Sequence, residues 1–150
     1  MIHDEKPSIL LLQETKISQD SITTTLKKIW RDSNCIENDS QGIAGGMAVV
    51  WDNNKVSLNN FQANRNYILA SFHIISSNME GTICNVYGPQ TTPLKKNLLH
   101  NLKWLLEHSQ KPTIIGGDFN IITSLLEKKG VLEDWIKKGH PSSILFKKKT

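Results

Sequence analysis

The sequence predicts an α/β protein, and three observations carry that expectation. Short apolar runs bounded by polar residues or glycines recur along the chain, at 9–12, 47–51 and 113–115, as buried strands do. A leucine stripe over residues 94–106 marks one clear amphipathic helix. That helix lies between a β-rich run ending at Tyr87 and another beginning at Thr113, which makes a strand–helix–strand unit.

Bulk properties narrow the class. With 150 residues, 38% hydrophobic and 21% charged, the chain can bury a core as one domain and is not compositionally disordered. No apolar run reaches the length of a membrane span, and Met1-Ile2-His3-Asp4-Glu5-Lys6 lacks the apolar centre of a signal peptide. Two cysteines, Cys35 and Cys84, are too few for a disulfide framework and lack metal-ligand spacing. An intracellular, reducing compartment is the expectation, with nucleus and cytoplasm not distinguished. The net charge of +4 is unevenly placed. Residues 125–150 hold seven lysines against Glu127, Glu133 and Asp134, whereas residues 1–124 balance eleven basic against eleven acidic groups. A basic tail can attract phosphates, although a solvated lysine-rich tail is the plainer reading.

In chain order, Ile9-Leu10-Leu11-Leu12 reads as a strand buried on both faces, with Glu14 just past its carboxyl end. Ser18 is placed to cap a helix running to about Arg31, with Ile22, Leu26, Ile29 and Trp30 on one apolar stripe. From 34 to 87 the pattern is strand and turn: 47–51, a turn at Asp52-Asn53-Asn54, a half-exposed strand at 55–58, then 67–75 and 82–87 joined by a turn over 76–81. Successive strands of this kind pair antiparallel. Gly45-Gly46 precedes a strand and no Lys-Ser/Thr follows, so it reads as a tight turn and not a phosphate loop. Thr92 as cap and Pro93 at the first position start the leucine-rich helix, which runs through His108. His108 there complements the helix dipole. There is no internal repeat, and the pattern decays beyond Ile122.

The chemistry gathers at strand ends. Pro112-Thr113-Ile114-Ile115-Gly116-Gly117-Asp118-Phe119-Asn120 reads as a strand, a glycine turn, then a carboxylate and a carboxamide. An Asx-type turn, in which Asp118 and Asn120 bond nearby backbone, is the alternative for this stretch alone. Glu14 and Tyr87 occupy equivalent places after their own strands.

At this point the chain resembles the endonuclease/exonuclease/phosphatase superfamily, and most of all the apurinic-type endonuclease domain of plant LINE-type (non-LTR) retrotransposons. The matching segments are Leu11-Leu12-Gln13-Glu14-Thr15-Lys16, Gly45-Gly46-Met47-Ala48-Val49, Asn85-Val86-Tyr87-Gly88-Pro89 and Gly116-Gly117-Asp118-Phe119-Asn120, in the family's order. The resemblance implies a DNase I-like two-sheet α/β sandwich and a Mg²⁺-dependent phosphodiesterase, with Mn²⁺ as a substitute metal. It implies Glu14 as the metal ligand, Asp118 orienting or deprotonating the attacking water, Asn120 holding the scissile phosphate and Tyr87 donating to a phosphate oxygen. These residue types suit Mg²⁺, which takes few carboxylates and keeps waters. DNA, or another phosphodiester, is the implied substrate.

The departures from the family pattern are specific. The family carries an earlier strand with a metal-supporting asparagine, for which residues 1–6 offer no counterpart, and a late Asp-His pair, which nothing in the last 30 residues matches. His140 has no acidic neighbour, His73 reads as a strand residue, and His100 and His108 belong to the helix. The expectation is therefore a partial sandwich over residues 1–126, lacking the first strand and the C-terminal half, followed by a poorly ordered basic tail over 127–150. It is expected to be a retroelement endonuclease fragment with little or no activity. The competing readings are a non-catalytic nucleic-acid-binding remnant that uses the tail, and an open reading frame without a selected function.

Overall fold

The computed structural model describes residues 7–15, 19–38 and 46–120, with side chains described from Thr23 onward in the first helix. The expected basic tail, His140, Ser18 and Gly45 lie outside the described residues. Among the described residues, seven strands and two helices follow in order: β1 (Ile9–Gln13), α1 (Gln19–Ile29), β2 (Ser33–Asn38), β3 (Met47–Asp52), β4 (Val56–Asn64), β5 (Tyr67–Ile74), β6 (Met79–Tyr87), α2 (Thr92–His108) and β7 (Thr113–Asp118). No described helix is long and apolar enough to cross a membrane.

The strands form two sheets, one in the order β1-β3-β2 and the other β4-β5-β6-β7. All neighbours are antiparallel except β6 and β7, the parallel pair that α2 connects. Side chains alternate across each strand, so one face of each sheet is available to the other sheet and one to a helix. Met47, Val49 and Trp51 of β3 meet Val56, Leu58, Ile68, Ala70, Phe72 and Ile83 of the second sheet in the central core. The opposite face of β3 gives Val50 to Leu26 of α1, and Cys84, Val86 and Ile115 lie under Leu98 and Leu102 of α2. The result is four layers, helix–sheet–sheet–helix, and β3 is buried throughout because both of its faces are covered.

Several expectations need correction. The first strand does use both faces, Ile9 and Leu11 inward and Leu10 and Leu12 toward α1, yet all five residues are only half-buried because β1 is an edge strand among the described residues. Ile29 is 42% exposed, so it drops off the α1 stripe, while Trp30 packs on Leu26 and Val50. The strand read at 55–58 runs from Val56 to Asn64, since Asn59 and residues 62–64 pair with β5 through backbone although residues 59–64 are exposed and mostly polar, with a register shift between Asn59 and Gln62. Likewise Met79, Glu80 and Gly81 belong to β6, which leaves a turn only over 75–78. The cap of α2 is Thr91, without a side-chain bond, and Pro93 lies in the first turn.

The largest revision concerns Gly116 and Gly117, which lie inside β7 and not in a turn after it. Gly117 has φ +135, and a Cβ there would come within 2.0 Å of the Val86 carbonyl oxygen. Its lack of a side chain lets the parallel β6–β7 pair close up, so the strand can carry its register through to Tyr87 opposite Asp118.

Two outcomes test this packing. Gly117→Ala is expected to lower unfolding free energy by about 2 kcal/mol or more, from backbone strain plus the contact with Val86. A urea titration showing a change under about 0.5 kcal/mol would mean the two strands can part at no loss. Burial pushes the Cys84 thiol up from 9.0 to about 12. The folded state then holds a proton that the unfolded state releases, so this contribution is complete below pH 9 and is lost as pH rises toward 12. Cys84→Val should flatten the fall in unfolding midpoint over that window.

Candidate functional site

The site is assembled by the end of the two sheets where β1, β6 and β7 finish together. Parity decides who faces inward: Gln13 follows Ile9 and Leu11 on the inner face of β1, as Asn85 and Tyr87 follow Ile83 on β6, and Asp118 follows Ile114 on β7. The parallel register sets Tyr87 directly beside Asp118. Past the strand ends, the Gly88 N–H donates to the Asp118 carbonyl at 2.7 Å and the Asn120 side-chain amide donates to the Gly88 carbonyl at 2.6 Å, so the ladder is continued by a side chain.

Tyr87 is the hub. Its hydroxyl donates to Glu14 Oε1 across the sheets at 3.4 Å. Partial burial, then the Glu14 carboxylate, push its phenol above the ordinary value of 10.0, with Asp118 acting in the same sense and the Asn120 amide in the opposite one. The phenol therefore stays protonated at neutral pH and remains a hydrogen-bond donor. Its backbone is bracketed as well: the Tyr87 N–H donates to the Asn66 carbonyl at 2.8 Å, and the Asn66 side-chain amide donates to the Tyr87 carbonyl at 3.1 Å.

All four residues singled out in the sequence, Glu14, Tyr87, Asp118 and Asn120, are thus brought to one place. The Asx turn offered as the alternative is present too, since the Asn120 N–H donates to Asp118 Oδ1 at 2.9 Å. The two readings were never exclusive. The turn uses one carboxylate oxygen of Asp118, Oδ1. Two of the four residues hold left-handed backbone, Glu14 at φ 55 and Asn120 at φ 51. For asparagine this is tolerated, whereas a glutamate there is uncommon and strained.

Three contributors escaped the sequence reading. Asn85 is fully buried, with its amide donating to the Leu12 carbonyl at 3.0 Å and the Ala48 carbonyl at 2.9 Å, while its oxygen accepts from the Gln13 side chain. Gln13 and Asn66 are the others. Asn85 and Gln13 both sit inside matched segments, and their polarity at inward strand positions was the available signal. Asn66 left none, because its partner Tyr87 is 21 residues away.

Among the described residues no three His, Cys, Asp or Glu side chains converge. The donor set is instead one exposed carboxylate, Glu14, with neutral and carboxylate oxygens nearby, and Glu14 has no ion-pair partner among the described residues. That set fits a hard cation such as Mg²⁺, which binds through one or two carboxylates and retains waters.

The pattern of the endonuclease/exonuclease/phosphatase family matches residues 1–135. The chain belongs to that family. No curated protein matches it in sequence. Solved structures share the fold of this family member at low identity. The human Nocturnin catalytic domain with bound sulfate has a TM-score of 0.66 at 20% identity, covering 81% of this chain and 54% of that one. TDP2 of D. rerio, complexed with a single-strand DNA product, gives 0.64 at 14% identity, covering 85% and 53%. The mannosyl-6-phosphatase Bt3783 of Bacteroides thetaiotaomicron VPI-5482 gives 0.61 at 14%, covering 81% and 54%. The chain spans about half the length of these structures. The expected two-sheet α/β sandwich of DNase I-like type is the fold observed.

The strain at Glu14 is testable. Glu14→Gly is expected to be more stable than Glu14→Ala by about 0.5–1 kcal/mol, because only glycine enters the left-handed region freely. Urea unfolding of the pair checks this, and an alanine variant equal to or better than glycine would show that the backbone relaxes out of that conformation.

Proposed function

We propose that this chain is a Mg²⁺-dependent phosphodiesterase of LINE-type retroelement descent that acts on DNA. The observation that carries the reading is the convergence of Glu14, Asp118 and Asn120 on the Tyr87 hydroxyl. The DNA preference is supported by the LINE-like wording of the four motifs and by the DNA product bound to the D. rerio relative.

In this proposal Glu14 holds the metal, its carboxylate being exposed at the strand end. A cation held there would supply Lewis-acid polarisation of a phosphoryl oxygen. Asp118, held by its turn to Asn120, orients the attacking water with its remaining oxygen and takes up its proton. Tyr87 donates its protonated hydroxyl to a phosphate oxygen, and Asn120, with one amide hydrogen already on Gly88, offers the other.

A second reading, binding of nucleic acid without catalysis through the lysine-rich 127–150 segment, is favoured by the charge excess confined to the last 26 residues. One experiment separates the two. Wild type should nick supercoiled DNA with Mg²⁺ and stop when the metal is chelated, while Asp118→Ala purified identically should be about 10² to 10⁴ slower. Equal nicking by both proteins would expose a contaminant and remove the catalytic reading. Salt-sensitive DNA binding without nicking by either would favour the second reading.

A further inference from the structure

The contact between Glu14 and Tyr87 spans two sheets whose shared core is apolar, with an exposed polar link at the rim where the Asn38 side-chain amide donates to the Asn64 carbonyl. Apolar packing has no direction, so it sets the distance between sheets more firmly than their relative slide. Within that core, one polar side chain among the described residues is fully buried. Asn85 has no exposed surface, yet its amide donates to one carbonyl on β1 and one on β3, and its oxygen accepts from Gln13. A carboxamide can make four such bonds, and three are used here, all to the opposite sheet. The bonds end at Leu12 and Gln13, two and one residues before Glu14, and start two residues before Tyr87.

We propose that Asn85 is a positioning residue for the site: its carboxamide locks the β1–β3 edge to β6 so that Glu14 and Tyr87 are held within reach of each other. An aliphatic residue would suit an apolar interface as well for burial alone, so the placement of a carboxamide bonded three times is accounted for by the direction and register that hydrogen bonds add. Asn85 touches none of the reacting groups. It acts through Leu12 and Gln13 on one side and through its own strand on the other. The inference rests on the phosphodiesterase reading only for its catalytic consequence, because the geometry it controls exists with or without turnover.

The test reads that geometry directly. The chain has two tyrosines, Tyr67 and Tyr87, so 3-fluorotyrosine labelling gives two ¹⁹F signals, assigned with Tyr67→Phe. In the wild-type background, Glu14→Gln should shift the Tyr87 signal. In Asn85→Leu that effect should vanish, whereas in Phe72→Leu, a core substitution in β5, it should persist although the protein is less stable. Persistence of the Glu14 effect in Asn85→Leu overturns the proposal, and so does its loss in Phe72→Leu, which would make it a consequence of general loosening. If Asn85→Leu does not fold, Gln13→Leu, which removes one bond from a half-exposed edge residue, and Asn85→Ser make the same comparison, with loss upholding and persistence overturning it. Turnover gives a second arm: kcat of the Asn85 variant should fall about 10- to 100-fold with KM nearly unchanged, as for residues that orient catalytic ligands. Wild type without turnover under any divalent metal removes the function proposed above and leaves the ¹⁹F comparison to uphold or overturn the clamp.

Discussion

A fully buried carboxamide, that of Asn85, ties together two sheets whose shared core is otherwise made of aliphatic and aromatic side chains. Hydrophobic contact drives the sheets together but tolerates small slides and rotations, because many interdigitations bury similar area. Hydrogen bonds in a dry interface tolerate far less, since misalignment leaves buried donors and acceptors unmet. With the amide of Asn85 on the carbonyls of Leu12 and Ala48, the ends of β1 and β6 are registered to within hydrogen-bonding precision. Everything at the candidate site depends on that register, because Glu14 belongs to one sheet while Tyr87, Asp118 and Asn120 belong to the other.

Within the second sheet the site is held by different means. The parallel β6–β7 pair is brought together by α2 and by the bare backbone of Gly117, which sits against Val86. Beyond the strands, Asn120 replaces a ladder bond with its side chain and, through its left-handed backbone, closes the Asx turn on Asp118. Turn, ladder and functional groups are thus made from the same few atoms. This local economy explains why an ordinary turn and a catalytic arrangement could both be read from Gly-Gly-Asp-Phe-Asn, and why both descriptions hold.

Where the sequence was misread, the fault has one physical source. Hydrophobic periodicity reports which faces are covered, and it says nothing about backbone pairing. The exposed, mostly polar stretch 59–64 and the exposed Met79 and Glu80 belong to strands that extend beyond their apolar patterns. Gly116 and Gly117 were assigned a turn because glycine commonly marks one, yet here its small size serves close strand approach. The half-burial of β1 followed from its place at an edge, which composition does not encode.

The sequence by itself determined the α/β class, the strand–helix–strand unit around α2, the family and the identity of the four residues that meet at the strand ends. Those follow from local periodicity and short motifs, and local information survives in a linear string. Only the tertiary structure decided that β1 packs across from β6, that Tyr87 reaches Glu14, and that Asn85 and Asn66 hold them there. Those contacts join residues 21 to 73 positions apart. They depend on strand order, register and parity together, and a slip of one residue in any of them would turn the same side chains to the opposite face.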